Sequence, residues 1–335
     1  MHRVARQIYQ AIQNAKHIML IPHPNPDGDA LGSVSAMTRY LRRIEKNHTA
    51  FCATTISPRL AFIPHTAEIA TADSVWTELN PDVVMVFDSG DLRYAGIADH
   101  LKQLAHPPVI INIDHHATNE LYGHHNLVLP TASSTTEVLY NFFKYNQIKI
   151  DAAMATCLLT GLITDTDNFT NAATSSRALS IAGDLIRRGG DLGLIQESVF
   201  KDKSMNALRL WGLSLSRLTT DNETGVVHTY LTQADWKKYA VSDIETEGIA
   251  NFMNNLDEAP AALILKELGD GKVKGSLRTT RNDVNVSAWA KALGGGGHKK
   301  AAGFTVTGSI DSALKKVLAE IGAMSIKDKE MRNEK

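Results

Sequence analysis

Within His23-Pro24-Asn25-Pro26-Asp27-Gly28-Asp29, one imidazole and two carboxylates fall on seven consecutive positions. Asp88 follows the apolar run Val83 to Phe87, Asp114-His115-His116 follows Val109 to Ile113, and Asp165 follows the apolar stretch Ala152 to Ile163. Carboxylates alone suit Mg²⁺ or Ca²⁺, and imidazoles alone favour Zn²⁺ or Cu²⁺. A mixture of two His and four Asp, without Cys, fits Mn²⁺ best. Mg²⁺ or Co²⁺ would be the substitutes. Six side chains are too many for one catalytic cation with an open position, but suit two cations ~3.5 to 4 Å apart that share a carboxylate. Asp88, standing between the other segments, is the natural bridge. Such a cation pair can supply both a nucleophile and charge neutralisation.

The elements that must position these groups are readable from periodicity. His17 to Pro22, Val83 to Phe87 and Val109 to Ile113 are short, apolar and rich in β-branched residues, as buried parallel strands are. Helical patterns run from about Ala30 to Ile44, from Ser134 (a cap paired with Glu137) to Asn146, from Asp151 to Thr164, and from Thr174 or Ser175 to before Gly189-Gly190. Strands alternating with helices predict a doubly wound α/β sheet, whose carboxyl edge gathers residues distant in sequence.

A chain of 335 residues exceeds what one core usually supports. The expected division is 1–200 for the metal-binding domain, 201–222 for a linker helix, 223–325 for a second, smaller α/β domain, and 326–335 for a frayed charged tail. The turn Asp221 to Gly225 is the expected connector. In the second domain, Ala261 to Leu268 and Lys272 to Thr280 read as a hairpin through Gly269-Asp270-Gly271, and a helix from Asn285 ends in Gly294-Gly295-Gly296-Gly297-His298. Lys and Arg outnumber Asp and Glu 14 to 8 from Pro260 onward, although the whole chain carries a net charge of −1. A basic rear part suits an anionic substrate. No apolar run approaches the ~20 residues of a membrane span, and the polar opening helix lacks the apolar core of a signal peptide. Cys52 and Cys157 are too few for a disulfide framework. A cytoplasmic location is expected.

The strings His23 to Ser33, Asp88-Ser89-Gly90-Asp91, Asp114-His115-His116 and Gly161-Leu162-Ile163-Thr164-Asp165-Thr166 resemble the four ordered motifs of the DHH phosphoesterases. Gly294 to His298, with Arg278 upstream, resembles the glycine-rich signature of that family's C-terminal domain. The likeness covers about residues 5 to 320 and is nearest the nanoRNase and 3′-phosphoadenosine-5′-phosphate phosphatase subgroup. It implies one metal on His23, Asp27 and Asp88, and a second on Asp29, Asp88, His115 and Asp165. Asp114 would orient an imidazole, and His116 would give a proton to the leaving oxygen or bind the phosphoryl group. Arg278, Gly294, Gly295, Gly296, Gly297 and His298 would hold a substrate phosphate, with the active site in the interdomain cleft. Where the subgroup commonly has Gly after Asp165-Thr166, this chain has Asp167-Asn168, a departure that bears on specificity.

The implied activity is hydrolysis of very short RNA to 5′-mononucleotides, removal of the 3′-phosphate of 3′-phosphoadenosine 5′-phosphate, or both. Cleavage of linear or cyclic dinucleotides is the alternative; an inorganic pyrophosphatase or a silent nucleotide-binding regulator fits less well. Near-neutral charge and the lack of an added strand-binding domain argue against long nucleic acid as a partner. A homodimer is compatible with these features. Taken singly, each motif has a plainer reading: the His23 loop as a turn, Ser134 and Glu137 as a cap, the glycines as a linker, His124-His125 as a surface loop.

Overall fold

The computed structural model describes residues 2–200, 203–241, 246, 248–256 and 258–333, and the chain divides into two compact units, Met1–Lys201 and Asp202–Lys335. In the first, α1 (His2–Asn14) leads to β1 (Ile18–Ile21), α2 (Gly28–Arg43), β2 (His48–Ala50), α3 (Ser74–Glu78), β3 (Val83–Phe87), α4 (Ala98–Gln103), β4 (Val109–Asp114) and β5 (His125–Val128). Then come α5 (Thr135–Tyr145), α6 (Ala152–Asp165), α7 (Ser176–Arg187) and α8 (Leu192–Val199). The strands make one parallel sheet in the order β2-β1-β3-β4-β5.

Both faces of this sheet are covered, which is why its strands are apolar without alternation. Ile18, Leu20, Val83, Met85 and Phe87 join the core shared with α1, α2, α5 and α6. Met19, Ile21, Val84 and Val86 point the other way, onto Trp76, Ala95 and Ile97. The strand order reverses between β1 and β3, and such a reversal opens a crevice at the carboxyl ends of the strands. Side-chain oxygens of Asp27, Ser134, Asp151 and Ser175 cap α2, α5, α6 and α7. Glycine permits α2 and α6 to touch backbone to backbone: a Cβ on Gly32 would stand 2.4 Å from the Cys157 carbonyl oxygen.

The second unit runs α9 (Met205–Ser216), β6 (Thr219–Thr220), β7 (Val227–Leu231), α10 (Gln233–Tyr239), α11 (Ile249–Phe252), β8 (Ala262–Glu267), β9 (Lys272–Arg278), α12 (Val286–Ala292), β10 (Gly296–Gly297), β11 (Ala301–Thr307) and α13 (Ile310–Asn333). Its mixed sheet has the order β10-β11-β9-β8-β7-β6. One face packs on Trp289 of α12 and Val317 of α13, the other on Ala207 and Leu210 of α9. Among the described residues, no helix is long and apolar enough to cross a membrane.

Several sequence expectations differ from this architecture. The segment 201–222 is no free linker: residues 201 and 202 lie outside the described residues, and the α9 that follows buries Ala207 and Leu210 in the core of the second unit. Asp221 to Gly225 is the turn between β6 and β7, closed by Asp221 accepting from the Thr224 N–H at 2.8 Å. Helix α13 runs on past residue 326, the expected start of a frayed tail. His124-His125 is only in part a surface loop: His124 is exposed in the bend before β5, its Nδ1 accepting from the Ile110 N–H at 2.9 Å, and His125 opens the strand. Strands as short as β2 and β5 carry too few residues to display a period.

Candidate metal centre

β1, β3 and β4 are neighbours in the sheet, and their ends are level: Ile21 pairs with Val86, and Phe87 with Ile113. His23, Asp88 and Asp114 therefore emerge at one height on three adjacent strands, Asp88 in the middle. Asp88 turns out of its strand with φ 57°, a left-handed conformation that Asp tolerates better than most residues and that is costly elsewhere. Asp29 arrives from the first turn of α2 and Asp165 from the last residue of α6. Their approach depends on Gly161, one helical turn before Asp165, where a Cβ would stand 2.4 Å from Asp29 Oδ1.

His23 Nε2 lies 3.9 Å from Asp27 Oδ1 and 3.5 Å from Asp88 Oδ2. Its Nδ1 faces the Pro24 carbonyl at 2.9 Å, which sets the tautomer and leaves Nε2 with a lone pair for the crevice. His115 Nε2 stands 3.6 Å from Asp88 Oδ1 and 3.2 Å from Asp165 Oδ2. Buried Asp29 accepts from the N–H groups of Thr135 and Thr136 at 2.6 and 2.9 Å, so the start of α5 holds both its oxygens. Thr135 Oγ1 donates to Asp88 Oδ1 at 2.8 Å.

His116 is held differently. Its Nδ1 sits 2.8 Å from Oδ1 of the buried Asp114, which also accepts from the His115 N–H at 2.7 Å and from Asn119 Nδ2 at 2.5 Å. Hydrogen bonding to Asp114 raises the His116 pKa to about 9 against the opposing effect of burial. Burial likewise works against a charged His23, but the Asp88 hydrogen bond and nearby Asp27 carry it to about 9. For Asp88 burial is outweighed by His23, His115 and His116, and its pKa falls. Asp29 and Asp165 move up, each through burial first and then through neighbouring carboxylates: Asp88 and Asp27 for Asp29, Asp29 and Asp27 for Asp165.

Three sets of donor atoms lie within 4.8 Å of one another: His23, Asp27 and Asp88; Asp29, His115 and Asp165; and Asp88, His115 and His116. Ligands at right angles on a cation, each about 2.1 Å away, stand roughly 3 Å apart. The His to Asp separations here, 3.2–3.9 Å, are of that order. Among the described residues no Lys or Arg pairs with Asp27, Asp29, Asp88 or Asp165. Acids that repel one another in a half-closed crevice, faced by imidazole lone pairs, fit divalent cations as the missing positive charge.

The DHH family N-terminal domain profile matches residues 17–162, and the DHHA1 domain profile matches residues 223–323. The chain belongs to the DHH phosphoesterase family. DHH phosphoesterases use divalent metals, in keeping with the donor sets above. This DHH chain is 29% identical over 326 residues to the bifunctional oligoribonuclease and PAP phosphatase NrnA of Thermus thermophilus, across 95% of this chain and 93% of the relative. It is 25% identical to the protein of that name from Bacillus subtilis, across 86% and 89%. The cyclic-di-AMP phosphodiesterase GdpP of Geobacillus thermodenitrificans is 24% identical over 88% of this chain, which spans 45% of that longer relative. The solved structure of an exopolyphosphatase-related protein from Bacteroides fragilis superposes with a TM-score of 0.88 at 24% identity, over 97% and 96% of the two chains, and shares the fold. Asp165 lies three residues past the matched DHH stretch, so its place rests on its approach to His115.

In the DHHA1 domain, Arg278 ends β9 between β8 and β11, and its Nε donates to Asn251 Oδ1 at 2.8 Å. The glycine run is only partly a loop. Gly294 and Gly295 donate their N–H groups to Lys291 and Ala290, closing α12, while Gly296 and Gly297 pair with β11 as β10. Gly295 and Gly297 are needed where β11 approaches, since a Cβ would stand 2.1 Å from the Gly303 carbonyl oxygen and 2.6 Å from that of Ala301. His298 donates its N–H to the Ala301 carbonyl at 2.8 Å. The glycines are thus structural first, whatever anion they meet.

Sequence reasoning overlooked Thr135, Thr136 and Asn119. The hydroxyl-rich string Ser133-Ser134-Thr135-Thr136 was the available signal, but it reads as helix capping, which Ser134 indeed performs for Glu137 N–H at 3.0 Å. The departure at Asp167 has a backbone meaning: Asp167, Asn168 and Phe169 have φ 49°, 56° and 62°. Asp and Asn adopt this left-handed region at small cost, so they can stand directly after Asp165-Thr166.

Proposed function

We propose that this DHH phosphoesterase hydrolyses very short RNA to 5′-mononucleotides and removes the 3′-phosphate of 3′-phosphoadenosine 5′-phosphate. The observation that carries the reading is the gathering of six metal-type donors around Asp88 at the carboxyl ends of β1, β3 and β4. The substrate pair is favoured because relatives bearing those two activities in their names align along nearly the whole chain. In this reading His23, Asp27 and Asp88 hold one cation, and Asp29, Asp88, His115 and Asp165 the second, with Mn²⁺ preferred over Mg²⁺ or Co²⁺. When bound, the two cations activate the attacking water and neutralise charge at the phosphoryl group.

The remaining roles belong to the chain's own side chains. His116, charged at neutral pH and anchored through Nδ1 to Asp114, offers its Nε2 proton to the departing oxygen. Thr135 holds Asp88, and the start of α5 holds Asp29, so neither carboxylate reorganises when substrate arrives. Arg278, Gly294 to Gly297 and His298 bind a substrate phosphate. The enzyme acts in the cytoplasm, on short substrates only.

A hydrolysis panel with Mn²⁺ tests this directly, using di- to decanucleotide RNA, 3′-phosphoadenosine 5′-phosphate, cyclic di-AMP and pyrophosphate. Dinucleotide and 3′-phosphoadenosine 5′-phosphate should rank highest. A clear preference for cyclic di-AMP would move the reading to the dinucleotide phosphodiesterases, whose named relative aligns over most of this chain. Turnover of pyrophosphate alone would reject it.

A further inference from the structure

Beside the donor cluster stands a side chain that none of the proposed metal or proton chemistry uses. Tyr94 is 55% exposed, and its ring centroid lies 5.4 Å from that of His23 at an interplanar angle of 33°. Exposed aromatic rings elsewhere among the described residues are Tyr145, Phe200 and Phe252. Of these exposed rings, only Tyr94 contacts a side chain of the donor sets. A large apolar ring left in water next to a polar crevice calls for an explanation.

The backbone under Tyr94 is built, not incidental. Asp91 Oδ1 accepts from the N–H groups of both Arg93 and Tyr94 at 2.8 Å, and Ser89 Oγ donates to the Asp91 carbonyl at 3.0 Å. The turn then closes at Gly96, with φ 73°, where a Cβ would stand 3.1 Å from Pro24 Cγ. This packing clamps the turn to the loop that carries His23. An aromatic ring on a rigid turn stacks a planar partner at little entropic cost.

We infer that Tyr94 is a nucleobase platform: it stacks the base of a nucleotide whose phosphate lies at the His23, Asp27 and Asp88 end of the crevice. Stacking on one ring face accepts any base, in line with a preference for nucleotides without a sequence code. Phosphate groups lacking a base gain nothing from it. The inference deepens the proposed function and rests on the same site, but it makes a statement about binding that hydrolysis does not decide.

The test is equilibrium binding to the Mn²⁺-loaded full chain of AMP and of ribose 5-phosphate, which differs by lacking the base. The wild type should bind AMP roughly 10- to 100-fold more tightly, the factor that one base on an aromatic ring commonly carries. Tyr94→Ala should bring AMP to the level of ribose 5-phosphate and leave ribose 5-phosphate binding in place. Tyr94→Phe, which keeps the ring, should retain the discrimination. Equal binding of the two ligands by the wild type overturns the platform, as does Tyr94→Ala discrimination equal to wild type, or equal loss in the Phe variant. Discrimination by the wild type alone, with no turnover of any nucleotide, would refute the proposed activity and leave the platform standing.

Discussion

Asp165 and Asp235 are both partly or wholly shielded aspartates near helix ends, yet the protein treats them in opposite ways. In the second unit, Arg217 grips Asp235 through two nitrogens, at 2.5 and 3.0 Å, and stacks on the Tyr230 ring 4.7 Å away. Asp235 also accepts from the N–H and hydroxyl of Thr232. Against the upward push of burial these bonds lower its pKa to about 2. Asp165 and Asp29 have carboxylates and imidazoles for company and, among the described residues, no paired arginine, and their pKa values rise. An acid matched internally holds the fold together; an acid left unmatched beside its like is held by the fold against its own electrostatics. The surplus negative charge at the carboxyl edge marks where the chain is built for something it must bind.

The strongest challenge to this contrast is Asp88→Asn, which keeps the shape of the bridging group and removes its charge. Turnover of a dinucleotide and of 3′-phosphoadenosine 5′-phosphate should drop by about 10³-fold or more, since several kcal/mol of charge stabilisation depend on it. Steady-state kinetics with Mn²⁺ would show this, and retained activity would end the metal reading. Next in size, Arg217→Ala should destabilise the protein by roughly 2 to 3 kcal/mol, the low end for a broken buried pair because the Arg217 side chain is 25% exposed. Denaturant melts would report that loss, and the Mn²⁺ requirement should stay as it was.

Asp165→Asn sharpens the opposite side. In metal-free protein it should raise Tm by a few degrees, the size of a gain of about 1 kcal/mol in a unit of this length, while weakening Mn²⁺ binding. The pH dependence follows the same signs. Groups whose folded pKa is raised, His23 and His116 at about 9, contribute stability present below about 6.5 and lost as pH climbs through about 9. Asp29 and Asp165, also raised, favour the folded chain as pH falls from neutral toward the carboxylate range near ~4. Scanning calorimetry of chelator-treated protein should therefore find lower Tm at pH 9 than at pH 6.5. Saturating Mn²⁺ should reverse the slope over that window, because protons and metal compete for the same atoms. Asp235, depressed to about 2, contributes nothing variable there; its stabilisation disappears only as pH drops from about 4 toward 2.

A last comparison separates two helical glycines. Gly183→Ala, with nothing within 4 Å of the new Cβ, should stabilise α7 by roughly 0.5 to 1 kcal/mol. Gly161→Ala should destabilise by about 1 to 3 kcal/mol and loosen Mn²⁺ binding, since its Cβ would stand 2.4 Å from Asp29 Oδ1. Thermal melts and metal titrations of the pair would distinguish close packing at the centre from helix propensity alone.

Much of this was legible before any coordinates. Runs such as Val83 to Phe87 are too short and too β-branched to be anything but strands, and a residue type placed after such a run must emerge at the sheet edge. That reasoning reached the donor types that follow β1, β3 and β4 and the α5, α6 and α7 caps, because each depends on local chemistry and on a period of a few residues. It missed β2 and β5, which lack length, and the pairing of Gly296 and Gly297 with β11.

By itself the amino-acid order determined which donors exist and which predicted element each one follows. Only the tertiary structure decided that β1, β3 and β4 are neighbours, that Gly161 admits Asp29 beside Asp165, and that Thr135 and Tyr94 flank the centre. Periodicity and capping are local and written along the chain. Adjacency across tens of residues is settled by which faces pack and how closely, and no short window of sequence contains that information.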